Sequence, residues 1–295
     1  MNSRFFILPL LLAVALFGCT EESTDLLTTS DAAELDLSFL VDEGEDGNVD
    51  VPDLGFAPAI RNHVDGHQFG VEDVTQETFT TPDGHTEEGY LVGGCIRMTK
   101  EELTAQAELN ASGDKQYATN NLVNRINTIN VVGYTGRGYN LTSKMQTALR
   151  WAVNNYNRIN TNKQFNLRFG ADTNADIVVY RNVNNNGAGG VAGFPSNGRP
   201  YKWVQIYAGM ENYDTNTNEH VITHEIGHCM GLRHTDYATR RSCNQSGEGA
   251  GRDGANYIPG TPRGYDANSI MLACFGSGED GEFGFYDRVA LEYLY

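Results

Sequence analysis

Apolar positions recur at helical spacing most clearly between Asn140 and Ile159, where Leu141, Met145, Leu149, Ala152, Val153 and Tyr156 share one face. Ser143, followed three residues on by Gln146, reads as a capping box at its start. Ile126 to Gly133 alternates apolar and polar residues and predicts a strand, and Phe165–Phe169 and Ile177–Tyr180 predict two more. The glycine-rich stretch Gly187 to Pro195 is a tight connection; without a terminal Lys-Ser/Thr it is not a phosphate loop. Lys202-Trp203-Val204-Gln205-Ile206-Tyr207 reads as the next strand. A second helix has Val221, Ile222 and Ile226 on its buried side and Asn216 and Glu219 as candidates for its cap. Little regular pattern follows until Tyr286–Leu294, a closing helix. The pattern predicts an α+β protein with a larger upper half of sheet and helices and a smaller, irregular lower half.

Charge divides the chain. The formal net charge is −17 over 295 residues, but residues 20–114 carry 23 acidic and 3 basic side chains, whereas residues 115–295 carry 15 and 17. The step marks a boundary near residue 115. Neither side has the basic stripe of a nucleic-acid binder, so that class of partner is not expected. At the start, Arg4 precedes an apolar run from Phe5 to Phe17 that is too short for a stable membrane span and reads as a targeting signal, residues 1–18. It ends Leu16-Phe17-Gly18-Cys19, which resembles a bacterial lipobox. That resemblance implies lipid on Cys19 and an extracytoplasmic location, at the outer membrane or cell surface; the larger Phe17 leaves plain secretion as the alternative. Residues 19–55 read as an acidic tether. Asp42, Asp46 and Asp50 fall near calcium-loop positions, but Gly44 takes a ligand slot and Asp53 replaces the closing glutamate, so a solvated tether is preferred to a calcium site.

The chemistry is concentrated in Thr223-His224-Glu225-Ile226-Gly227-His228-Cys229-Met230-Gly231-Leu232-Arg233-His234. Residues four apart share a helix face, so His224 and His228 can direct both imidazoles at one ion. Gly231 tolerates the left-handed conformation that ends a helix, and the turn brings His234 back as a third nitrogen ligand. Three protein ligands with one open position characterise catalytic zinc, whereas structural zinc is closed by four. Glu225 stands where a general base is needed. His220 lies one turn earlier on the same face and reads as a helix-face residue.

This run resembles that of the metzincin zinc peptidases, and His-Glu-Ile-Gly-His followed by Arg233-His234-Thr235-Asp236-Tyr237 resembles the bacterial dual-action HEIGH metallopeptidases. The likeness extends loosely from about Asn120 to the C-terminus. It implies a two-subdomain zincin, with a mixed twisted sheet and the zinc helix above the cleft. Below would lie a methionine turn at Ser269-Ile270-Met271, with Met271 under the site, and the C-terminal helix. It also implies that Trp203, Val204, Gln205 and Ile206 form the exposed edge that holds a peptide by strand addition. Two departures from the astacin branch stand out: Thr235 where a glutamate is usual, and Ala273 where a ligating tyrosine is usual.

Residues 56–114 read as an inhibitory pro-region, with a helical-looking stretch from Thr99 to Leu109, ahead of a catalytic domain at 115–295. Within it Val92-Gly93-Gly94-Cys95-Ile96 resembles the astacin propeptide motif, with Cys95 in place of the zinc-binding aspartate. A thiolate is a good zinc ligand, so Cys95 is expected to fill the fourth position in a latent form, a cysteine switch; a disulfide or a buried thiol is the alternative. Cys243 and Cys274 flank the lower half and are the preferred disulfide, while Cys229, next to a ligand, points off the metal face and is expected to be buried. The expectation is a zinc endopeptidase acting on proteins or peptides, with one catalytic Zn2+ and its own pro-region as inhibitor. A surface protein that binds peptide or glycan without turnover is the alternative.

Overall fold

The computed structural model describes residues 74–99 and 116–295, apart from positions 93, 245–246, 251–252 and 263–264. The leader and Cys19, the acidic tether with its 42–53 loop, and the expected helix beyond Thr99 lie outside the described residues. The first three strands, β1 (Val74–Thr80), β2 (Thr86–Val92) and β3 (Ile96–Met98), make an antiparallel sheet in that order. A short β4 (Tyr117–Ala118) follows.

The main sheet is built from β5 (Thr128–Tyr134), β6 (Gln164–Gly170), β7 (Ile177–Asn182), β8 (Gly190–Val191) and β9 (Trp203–Tyr207), in the order β6-β5-β7-β9-β8. Four strands are parallel, and β8 alone runs antiparallel, against β9. The first four residues of β7 are all buried, as a strand covered on both faces must be. Ile177 and Val179 turn to the helices, whereas Val178 and Tyr180 pack with Val132 and Tyr134 on the other face.

Two helices cover the first face. In α1 (Ser143–Arg158) the buried Met145, Ala148, Leu149, Ala152, Val153 and Tyr156 keep the spacing read from the sequence. Its cap differs from the expected box: Thr142, not Ser143, accepts from the Met145 amide, and the Gln146 side chain donates to Leu141 O instead. Thr142 has the extended backbone a cap requires, which leaves Ser143 as the first helical residue. The second helix, α2 (Thr215–Met230), is buried all round from Thr217 onward, because α1, the sheet and the lower half enclose it. Here too the expected cap is corrected: Asp214 accepts from the Thr217 amide at 2.8 Å, while Glu219 points inward and accepts from Asn155 of α1.

Below α2 the chain is irregular. β10 (Asn256–Tyr257) pairs with β4, the Cys243–Cys274 disulfide closes the region, and α3 (Phe285–Leu294) ends it. Tyr295 ties the end of the chain to the end of α2 through its hydroxyl, which donates to Met230 O and accepts from the Val123 amide. The layout is the mixed α+β class expected.

Candidate metal centre

Helix geometry alone sets His224 and His228 one turn apart on α2. Gly231 stops the helix with φ of 98°, a left-handed conformation that costs glycine little. Its amide and that of Leu232 return to the last carbonyls of α2, the chain doubles back, and His234 arrives opposite the other two.

The Nδ1 atoms decide the tautomers. His224 Nδ1 lies 2.9 Å from Ile270 O, and His228 Nδ1 lies 2.9 Å from Leu232 O. A carbonyl only accepts, so each Nδ1 carries the proton and each Nε2 keeps its lone pair. His234 Nδ1 likewise meets a carboxylate, that of Glu248. The Nε2 atoms of His228 and His234 face each other at 3.2 Å. A cation between them would take a lone pair from each. In a tetrahedral zinc site with bonds of about 2.0–2.1 Å the nitrogens stand about 3.3 Å apart, so the separation fits that ion. Burial, then the neighbouring histidines, lowers the His224 pKa far below its usual value; burial, then His234, takes His228 to about 3. Both are thus held in the neutral form that binds metals.

A fourth candidate donor atom comes from far away in sequence. Cys95 Sγ lies 3.2 Å from His234 Nε2, and the donor atoms of Cys95, His224, His228 and His234 all fall within 4.8 Å of one another. Backbone pairing holds Cys95 there: Ala192 N donates to Cys95 O, and Arg97 N donates to Ala192 O at 3.0 Å. This extends the main sheet past β8 by one parallel step, Ile96 beside Ala192. Around it Val92, Ile96 and Met98 bury themselves against Phe194, whose ring meets His228 edge-on. Arg97 fastens the flank, donating to the Tyr201 hydroxyl at 2.7 Å and pairing with Glu87. His220 stays outside the metal-ligand group, with Nδ1 on Asp280 O.

Glu225 is fully buried; burial raises its pKa well above the ordinary carboxylate value, and Oε2 has no hydrogen-bond partner among the described residues. Met271 underlies the helix so closely that a Cβ on Gly227 would come within 2.5 Å of its sulfur. Glycine at that position lets the Met271 turn approach α2. Cys229 is buried, as its position in the motif implied.

One expectation is corrected. Trp203, Val204, Gln205 and Ile206 do not form an exposed edge, because β9 has β7 on one side and β8 on the other. Val204 and Ile206 belong to the core, Gln205 accepts from Tyr180, and Trp203 packs on the same tyrosine. The edge position belongs to β8, and the Cys95–Arg97 segment pairs with Ala192 just beyond it. Two residues, Gly190 and Val191, are too short a strand to show alternation, whereas the apolar run of β9 is that of a strand buried on both faces.

Other important residues gave no signal in the sequence. Glu248 sits in the glycine-rich lower loop, wholly buried, with Oε1 shared by His234 and Arg240. Burial alone would raise its pKa, but His234, then Arg240 and Arg233, outweigh it and hold the carboxylate below its usual range. Asp287 of α3 anchors the methionine turn: Ser269 Oγ and Gln116 Nε2 donate to Oδ1, and Ile270 N and Gly284 N to Oδ2. Asp236 accepts from Ala273 N and Ser242 N, joining the segment after His234 to both ends of the disulfide. Buried carboxylates of this kind have no fixed spacing to find them by.

Three imidazoles converged on one point, a buried glutamate next to the first of them on the helix and a methionine turn below are the arrangement of a metal hydrolase. The sequence profile of the dual-action HEIGH metallo-peptidases matches residues 90–295, and the chain belongs to that family. It is a metallopeptidase, its substrates are proteins or peptides, and zinc is its expected metal. No curated protein sequence matches the chain significantly. Two solved structures of myroilysin are similar, at TM-score 0.38 each: one is 16% identical, covering 57% of this chain and 80% of its own, the other 15% identical, covering 63% and 94%.

Proposed function

We propose that the chain is a zinc endopeptidase made as a latent precursor, with Glu225 as general base and Cys95 in the fourth zinc position. The observation that carries the latent form is the Cys95 thiol among the three Nε2 atoms, held there by two backbone hydrogen bonds to Ala192. His224, His228 and His234 hold the zinc, which when bound supplies Lewis acidity to the peptide carbonyl and to water. Glu225 takes the proton from the attacking water and passes it to the leaving amine as the C–N bond breaks. The substrate backbone pairs with β8 and Ala192, the edge that Cys95–Arg97 covers in the precursor. The pro-segment closes this edge and denies water to Glu225, so activity requires release of the region before about residue 115. The leader and Cys19 suit a lipid-anchored protein outside the cytoplasm, with secretion as the alternative.

The test compares the precursor from residue 19 with its Cys95→Ala and Cys95→Ala/Glu225→Gln variants, all zinc-loaded, on denatured protein. Cys95→Ala is expected to cleave faster than the precursor, and the double variant to bind zinc yet fall about 100- to 10,000-fold in turnover. A fully active precursor that gains nothing from Cys95→Ala removes the latch. Zinc-loaded proteins that bind peptide and cut none would put the non-catalytic binding reading first.

A further inference from the structure

His224 and His228 rest their outer nitrogens on backbone carbonyls that the fold supplies nearby, Ile270 O on the methionine turn and Leu232 O four residues along the chain. Among the described residues His234 has no such carbonyl at Nδ1. It lies beyond the helix, and its ring rests on a carboxylate fourteen residues further along. That carboxylate is itself clamped. Arg240 Nη1 donates to Glu248 Oε1 at 2.7 Å, and Arg233 Nη2 stands 3.5 Å from Oε2. Arg233 in turn donates to the carbonyls of Gly249, Ala250 and Gly254, so the loop carrying Glu248 is wrapped around its guanidinium. All four side chains are essentially inaccessible to water.

As a device for folding alone this is a poor choice. A buried ion cluster repays its desolvation only with excellent geometry, and well-packed apolar residues in its place are often no less stable. Arg240 also holds a left-handed backbone, φ 44°, a conformation that strains a residue with a side chain. Two buried arginines, one strained, converge on one carboxylate, and that carboxylate meets a single metal-ligand ring.

We propose that Glu248 is the positioning residue of the third zinc ligand, and that Arg240 and Arg233 hold its carboxylate on His234. The proposal rests on the reading of the site as a zinc centre. Glu248 fixes the His234 tautomer and ring plane and draws electron density toward Nε2, which makes that nitrogen a stronger donor. Removing such a carboxylate typically costs 10- to 100-fold in metal affinity. The two histidines of α2 need no such support.

The test measures zinc affinity by competition with a chelator, and melting temperature with and without zinc, for the full precursor, Glu248→Gln and Glu248→Gln/Arg240→Gln. Glutamine keeps an acceptor but removes the charge; the second substitution removes the arginine charge left behind. Glu248→Gln is expected to weaken zinc binding about 10- to 100-fold and to shrink the zinc-induced rise in melting temperature. The double variant is expected to regain the metal-free melting temperature without regaining affinity, and it decides the matter if Glu248→Gln alone does not fold. Zinc affinity within twofold of wild type, with equal losses of melting temperature in both metal states, would make Glu248 structural only and overturn the proposal. A wild type that takes up no zinc would instead overturn the metal-centre reading beneath it.

Discussion

The two halves of the metal centre are built in opposite ways. His224 and His228 sit four residues apart on one helix, and their outer nitrogens rest on backbone carbonyls. His234, Glu248 and Met271 come from irregular chain, and what places them is a set of buried side chains: Arg233, Arg240, Asp236, Ser269 and Asp287. The helical half inherits its geometry from a regular repeat. The lower half has no repeat to inherit from and replaces it with charge-assisted hydrogen bonds, which are stronger and more directional than neutral ones. The same contrast separates β7, whose position follows from its apolar run, from β8, whose two residues are an edge only because β9 lies beside them.

The sharpest way to separate the halves is to disable chemistry without touching metal. On the Cys95→Ala background Glu225→Gln is expected to lower turnover about 100- to 10,000-fold with zinc content unchanged, as read by peptide hydrolysis and metal analysis. The next largest effect falls on the lower half. Asp287→Ala strands four donors on three segments, and a loss of at least about 3 kcal/mol is expected in denaturant unfolding, together with weakened zinc retention. Asp287 also gives the lower half a pH signature. Burial raises its pKa from 3.8 in the unfolded chain to about 6 in the folded one. The folded state therefore holds this proton more tightly, and the Asp287 contribution to stability falls as pH rises between those values, by about 3 kcal/mol in all. Asp287→Asn should remove that part of the pH slope.

Gly227→Ala probes the seam between the halves. Its Cβ would lie 2.5 Å from Met271 Sδ, so either the turn or the helix must move, at a cost of about 1–3 kcal/mol in thermal unfolding. The smallest effect is expected in the helical half. Asp214→Ala removes the cap of α2 and should cost about 1 kcal/mol, with zinc affinity unchanged because the first turn lies well before His224. If Asp214→Ala weakened zinc as much as Asp287→Ala, the contrast between the halves would collapse.

What was legible in the sequence follows these lines. The buried face of α1 could be read from its spacing, and the pairing of His224 with His228 from a helical repeat of four. The turn at Gly231 could be read from glycine's access to positive φ. Each is a property of a few neighbouring residues, because backbone geometry along a helix repeats without reference to the rest of the molecule. The caps were misplaced by one or two residues, since Thr142 competes with Ser143, and Asp214 with Asn216, on nearly equal terms. The partners of the loops were beyond reach. That Glu248 meets His234, that Asp287 holds the methionine turn, and that β8 rather than β9 is the edge all depend on how distant segments close on one another. A buried carboxylate or a two-residue strand carries no period of its own; only the packed chain around it decides what it touches.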